Sequence, residues 1–160
     1  MEKVSNYLKV LEESLSKKLT VLQALLEASN RQGELAEEEA FDLDAFETTM
    51  DQKEELLSQL EKLDEGFESV FRKIETEVKE NRELYKEEVG MLQQLIRQCT
   101  DVSVEIQATE ARNKAKLSVK FADQQKELRQ IKTSNKVAAT YYKSMTNTQN
   151  TDSYYMDQKK

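Results

Sequence analysis

Hydrophobic and polar residues alternate along this chain with the period of helices that pack side by side. The first apolar positions follow one another at alternating steps of four and three, interrupted once by a lysine: Val4, Leu8, Leu11, Leu15, Lys18, Leu22 and Leu25. This spacing, close to 3.5 residues per turn, places them on one stripe of an α-helix. The pattern predicts a first helix from about residue 2 to 30, ended by Asn30 and Gly33, residues typical of helix C-termini.

A second apolar stripe follows the acidic connection of residues 31–43. It predicts a helix from about residue 44 to 80, with Asp44 and Glu47 in a capping arrangement at its start. Asn81 comes next and either ends this helix or caps the following one. The apolar positions of the stripe are Phe46, Met50, Leu57, Leu60, Leu63, Phe67, Val70, Ile74 and Val78.

The third stripe is the longest of the three. It begins at Tyr85, thins between residues 109 and 117, and continues to Tyr142, which predicts one helix over residues 84–145. Asp101 could mark a break in it, although nothing in the sequence forces one. Residues 146–160 are polar and lack periodicity, and we expect them to form a flexible tail.

These elements predict an all-α fold, an antiparallel bundle of about three long helices in a single domain over residues 1–145. The last helix is expected to extend beyond the others in the manner of a coiled coil. Composition supports this fold, because the chain has no proline and only three glycines. β-Sandwiches, barrels and doubly wound α/β folds need turns and loops that draw on both residues.

The same composition removes most catalytic chemistry. The chain has no histidine and one cysteine, so neither a serine nor Cys99 has a histidine base, and no Glu-x-x-His metal motif can occur. We expect Cys99 to be a small core residue. The sequence therefore predicts a protein that is not an enzyme and has neither a cofactor nor a metal site.

Charge is distributed unevenly along the chain. The net charge is −7, which disfavours binding to nucleic acid or to an anionic membrane. Residues 34–68 carry fourteen acidic and two basic side chains, whereas residues 111–143 carry two acidic and nine basic ones, so the two segments should attract each other. No apolar run is long enough for stable membrane insertion, and we expect a cytoplasmic protein.

The predicted third helix is longer than its neighbours, so its apolar stripe beyond about residue 120 is expected to lie outside the bundle. A second copy giving a homodimer, a return of the chain on itself or a foreign amphipathic helix could cover it, and it could also be further bundle core. For a foreign helix we expect binding through Leu117, Phe121, Leu128, Ile131, Val137 and Ala138. The electrostatic rim would be Lys120, Lys126, Arg129 and Lys136.

Several short motifs occur together in one order. They are the stretches 19–27 (LTVLQALLE), 50–60 (MDQKEELLSQL) and 106–117 (IQATEARNKAKL), then Ala139–Tyr142 and the end 153–160 (SYYMDQKK). This order resembles the FlgN-type flagellar export chaperones over roughly residues 15–160. Leucine spacing and Lys-Glu pairs are common in coiled coils, whereas the Glu110-x-x-Asn113-x-x-x-Leu117 element and the tail are the more specific parts.

The resemblance implies a cytosolic, ATP-independent chaperone. Such proteins bind the C-terminal helices of hook-filament junction proteins and deliver them to the membrane export gate of the flagellar type III apparatus. A late tyrosine of the family helps to dock the gate component, and the candidates here are Tyr141 and Tyr142. The alternatives are a structural coiled-coil scaffold or homo-oligomer without a client, and a chaperone for another flagellar filament protein.

Overall fold

Three α-helices form the part of the chain that the computed structural model describes, residues 2–122. Helix α1 spans Glu2–Glu37, α2 spans Leu43–Glu80 and α3 spans Lys86–Lys120. Their lengths of 36, 38 and 35 residues are nearly equal. No strand occurs within residues 2–122, and the predicted all-α bundle is confirmed.

Helix α1 lies against both of the other helices. The short connections make α2 antiparallel to its two neighbours in sequence, so α1 and α3 run in the same direction. The contacts follow this order: residues 18 and 32 of α1 face residues 64 and 49 of α2, whereas residues 15 and 29 face residues 99 and 113 of α3. α2 and α3 approach each other through side chains, as in the contact between Lys53 and Glu110.

The core divides into two clusters along the bundle. One surrounds the first half of α1 and includes Leu8, Leu11, Phe67, Ile74, Leu92 and Ile96. The other surrounds its second half and includes Leu22, Leu25, Leu35, Phe46, Leu60, Cys99, Ile106, Leu117 and Phe121. Full burial of such a side chain stabilises the fold by about 1.5–3 kcal/mol, which makes these stripes the main source of stability.

The end of α1 differs from the prediction. The helix passes through Asn30 and Gly33 and ends at Glu37. Gly33 has no positive φ, so it does not act as a helix terminator. The extra turns are retained because Leu35 and Ala36 are buried in the core, and tertiary packing outweighs the local preference of the two residues.

The ends of α2 agree with the prediction within one residue, but its cap is different. Asp42, rather than Asp44, is the N-cap, and its carboxylate accepts a hydrogen bond from the Ala45 amide at 3.0 Å. Asn81 ends the helix, and its side-chain amide donates to the Glu77 carbonyl at 2.9 Å.

Helix α3 is continuous through Asp101 but ends earlier than predicted. Its last residue is Lys120, and Phe121 follows with φ −106° and ψ 11°, outside the helical range. Within residues 2–122, α3 therefore does not extend beyond its neighbours. The predicted helical portion 123–145 and the predicted tail 146–160 lie outside the described residues.

Candidate functional site

A layer of polar side chains crosses the interior of the bundle near the C-terminal end of α1. It joins all three helices and consists of Ser29, Gln32, Thr49, Lys53, Glu110 and Asn113, each at most 7% exposed. The Lys53 ammonium donates to the carboxylate of Glu110 and, at 2.9 Å, to the side-chain oxygen of Gln32. The Ser29 hydroxyl donates to the same Glu110 oxygen at 2.5 Å.

The remaining contacts extend this layer to the backbone. The Gln32 amide donates to the Thr49 hydroxyl at 3.0 Å, and Thr49 donates to the Phe46 carbonyl at 2.6 Å. On the other side, the Asn113 amide donates to the Ser29 carbonyl at 2.7 Å. Burying a polar group costs free energy unless the group is hydrogen-bonded. A shift of one helix along another would break these bonds, so the layer favours one relative position of the three helices.

Electrostatics within the layer are set by burial. Burial lowers the pKa of the Lys53 ammonium, and the nearby Glu110 carboxylate partly opposes this by favouring the charged form. The two charged groups therefore depend on each other, because either one alone would be an unpaired buried charge.

A second ion pair, partly buried, lies nearer the middle of α1. The Lys18 ammonium is 2.6 Å from the Asp64 carboxylate, and the two side chains are 5% and 18% exposed. Burial raises the pKa of the Asp64 carboxyl, and Lys18 opposes this effect. The lysine that interrupts the first apolar stripe therefore occupies a true core position with a partner on α2.

Cys99 is fully buried in the α1–α3 contact, with its sulfur 3.8 Å from the Leu15 carbonyl oxygen. Burial raises the pKa of its thiol to about 11, with Lys18 lowering and Asp64 further raising it. At neutral pH the thiol is therefore protonated and weakly nucleophilic. The prediction that Cys99 is a core residue is confirmed.

Aromatic side chains close the end of the bundle where α3 ends. The rings of Phe41 and Phe121 meet edge to face with centroids 4.7 Å apart, and Phe41 also lies 5.5 Å from Phe46. Because Phe46 and Phe121 are 0% and 2% exposed, the connection between α1 and α2 covers the end of the core.

At the same end of the bundle, two lysines of α3 contact the end of α1 and the residues that follow it. Lys116 forms an ion pair with Glu37, and the Lys120 ammonium donates to the carbonyls of Glu38 and Glu39. A cation beside the free carbonyls at the C-terminal end of α1 is favourable. The Lys116–Glu37 pair joins the basic segment 111–143 to the acidic segment 34–68, as the charge distribution predicts, whereas Lys120 binds backbone carbonyls of the acidic segment.

The predicted binding residues fall into two groups. Leu117 and Phe121 are each 2% exposed and belong to the core, so the expectation that Phe121 lies on an uncovered stripe is wrong. Lys120 binds the α1–α2 connection rather than standing at a free rim. The others lie outside the described residues: Lys126, Leu128, Arg129, Ile131, Lys136, Val137, Ala138, Tyr141 and Tyr142.

The polar layer is not among the predictions from the sequence, although polar residues at core positions of the stripes indicate it. Ser29 and Gln32 continue the four-and-three spacing of the first stripe, and Lys53 falls on the spacing of the second. A polar residue at a core position of a coiled coil commonly fixes the register.

Other kinds of site have no support within residues 2–122. No described helix combines the length and the apolar character that crossing a membrane requires. In the same range, no group of three or more histidine, cysteine, aspartate or glutamate residues is placed to hold a metal ion.

Comparisons with known proteins found no matching family model, no matching curated protein and no matching solved structure.

Proposed function

We propose that this protein is a cytoplasmic, non-enzymatic export chaperone of the FlgN type. In this proposal it binds the amphipathic C-terminal helices of hook-filament junction proteins and brings them to the membrane export gate. One observation carries the proposal. The core of residues 2–122 is closed by Phe121, whereas the spacing of an amphipathic helix continues along the sequence to Tyr142.

The proposed binding segment is residues 123–145. Leu128, Ile131, Val137 and Ala138 supply the apolar contact with the client helix, by helix-to-helix packing. Lys126, Arg129 and Lys136 affect the rate of encounter and the register more than the affinity. Tyr141 and Tyr142 are the candidates for contact with the export gate.

Leu117, Lys120 and Phe121 take a different role in this proposal. The contacts of Lys120 and Phe121 with the α1–α2 connection hold the start of the binding segment to the bundle, and Leu117 is buried in the core. The three-helix bundle is then a rigid base, and client binding belongs to the residues that follow it.

The proposal is tested with the full chain and peptides that span the C-terminal helices of hook-filament junction proteins. The double variant Leu128→Asp/Ile131→Asp should bind at least about 30-fold more weakly, because loss of one anchor residue costs about 2 kcal/mol or more. Val119→Asp is the matched control, since Val119 is 81% exposed on α3 and precedes the segment. Binding is measured by calorimetry, and circular dichroism checks that both variants keep their helices.

Two results would contradict the proposal. One is an unchanged dissociation constant for the double variant with every peptide that the unmodified chain binds. The other is a stable homodimer in light scattering that binds none of these peptides, which would favour the structural scaffold.

A further inference from the structure

We infer that a groove between α1 and α2 binds a small organic anion that carries an apolar group. The groove is open to solvent and has a volume of about 520 Å³, within the range of small-molecule sites, which is about 300–1,000 Å³. Both helices line it: Ser16, Lys17, Thr20 and Val21 of α1, and Gln59, Lys62 and Leu63 of α2. The inference goes beyond the proposed function and does not depend on it.

The charge of the groove is opposite to that of the protein. None of its lining residues is acidic, although the chain has 31 aspartate and glutamate residues. Lys17 and Lys62 supply one ammonium group from each helix, and neither forms an ion pair within residues 2–122. Of the two cations in the acidic segment 34–68, Lys53 is buried, whereas Lys62 is exposed in the groove. A bound anion would supply the counter-charge for both lysines.

The ion pair of Lys18 with Asp64 explains why an adjacent carboxylate leaves these lysines uncompensated. Asp64 follows Leu63 in sequence, but its carboxylate lies 2.6 Å from the Lys18 ammonium. Because Lys18 is only 5% exposed, this pair belongs to the interior of the bundle. The charges of the pair cancel each other, so the groove keeps the charge of its own two lysines.

Two further polar groups can donate hydrogen bonds to an anion. These are the Ser16 hydroxyl and the Gln59 side-chain amide, which uses one hydrogen in a contact with the Glu55 carboxylate at 3.5 Å and retains the other. The Thr20 hydroxyl already donates to the Ser16 carbonyl at 3.2 Å. The groove therefore offers the anion two cations and two neutral donors.

The remaining lining and the size of the groove indicate the rest of the ligand. Val21 is buried, Leu63 is half-buried, and both pack on the core, so they offer an apolar surface. The groove covers residues 16–21 of α1, about 8 Å along the helix axis. An amphipathic helix that binds through positions i, i+4 and i+7 needs about 11 Å. The groove therefore fits a small molecule better than a helix of another protein.

Fluorescence titration of the full chain tests the requirement for an anion. Anilinonaphthalene sulfonate carries an anionic group on an apolar ring system, and N-phenylnaphthylamine is the same molecule without the sulfonate. We expect the anionic probe to bind about 10-fold more tightly, because each exposed contact between an ammonium and an anion contributes a few-fold. Equal dissociation constants for the two probes would overturn the inference.

Substitution of the lysines tests the site. Lys17→Gln/Lys62→Gln should weaken binding of the anionic probe about 10-fold and leave binding of the neutral probe within about 2-fold. Lys86→Gln/Lys114→Gln, at two exposed positions of α3, makes the same change in net charge and should leave both dissociation constants within about 2-fold. An equal loss in the two double variants would overturn the inference, because net charge alone would then explain the binding.

Nuclear magnetic resonance locates the bound probe. On addition of the anionic probe, the methyl signals of Val21 and Leu63 should shift the most. Larger shifts at methyl groups outside the groove, including those of residues 123–160, would overturn the assignment to this site. Circular dichroism checks that the variants keep their helices. None of these experiments uses a client, so a failure here is distinct from a failure of client binding.

Discussion

At Gly33 the backbone of α1 comes so close to α3 that no side chain fits between them. A Cβ atom at this position would lie 2.7 Å from the side-chain oxygen of Asn113. Asn113 cannot easily move away, because it is buried and its amide donates to the Ser29 carbonyl at 2.7 Å. Gly33 is therefore a contact residue of two packed helices and not the helix terminator that the sequence predicts.

Alanine substitutions separate these two roles. We expect Gly33→Ala to lower the free energy of unfolding by about 1–3 kcal/mol, because it crowds the core. Gly66→Ala is the control, since Gly66 is also helical but has no atom within 4 Å of its added Cβ. It should raise the stability by about 0.5–1 kcal/mol through helix propensity. Urea denaturation measures both, and a stabilised Gly33→Ala would contradict the close packing.

At the scale of the helices, the four-and-three spacing continues without a break, and polar residues occupy some of its positions. In α3 it includes Ser103, Glu110 and Asn113 between the apolar residues. Apolar periodicity therefore predicts the three helices well, but it does not show that these polar residues are buried in the core. The missing information was which polar residues meet, since Lys53 and Glu110 are 57 residues apart in the chain.

The mutual dependence of Lys53 and Glu110 is a prediction for urea denaturation. Lys53→Met leaves the Glu110 carboxylate buried without its cation and should lower the free energy of unfolding by about 3–5 kcal/mol. The double variant Lys53→Met/Glu110→Leu should recover most of this loss, because no unpaired charge remains.

Lys62→Met is the matched control for this comparison, because Lys62 lies on the exposed side of the same helix. Its effect should stay within about 0.5 kcal/mol. The single variant Glu110→Leu completes the cycle. If the loss of unfolding free energy in the double variant equals the sum of the losses in the two single variants, the two side chains are not coupled.

For the molecule as a whole, the sequence predicts the number, the order and most boundaries of the helices that lie within residues 2–122. It did not predict where α3 ends, because residues 118–124 contain neither glycine nor proline. The end at Lys120 depends instead on contacts with residues 38–41, which are distant in the chain. For the same reason, the sequence predicts Phe121 on a binding surface, although it belongs to the core.

The parallel pairing of α1 with α3 has a consequence for the order of folding. The hydrogen bonds described above between α1 and α3 join residues 79–84 positions apart, whereas those between α1 and α2 join residues 17–46 positions apart, nearer the connection between the two helices. Closing the shorter loops costs less conformational entropy, so we expect the α1–α2 hairpin to form before the rate-limiting barrier and α3 to dock after it.

In stopped-flow experiments, Met50→Ala should mainly slow refolding, and Cys99→Ala should mainly accelerate unfolding. The reverse pattern would mean that α1 and α3 pair before the barrier, across the longer loop, and that α2 docks after it.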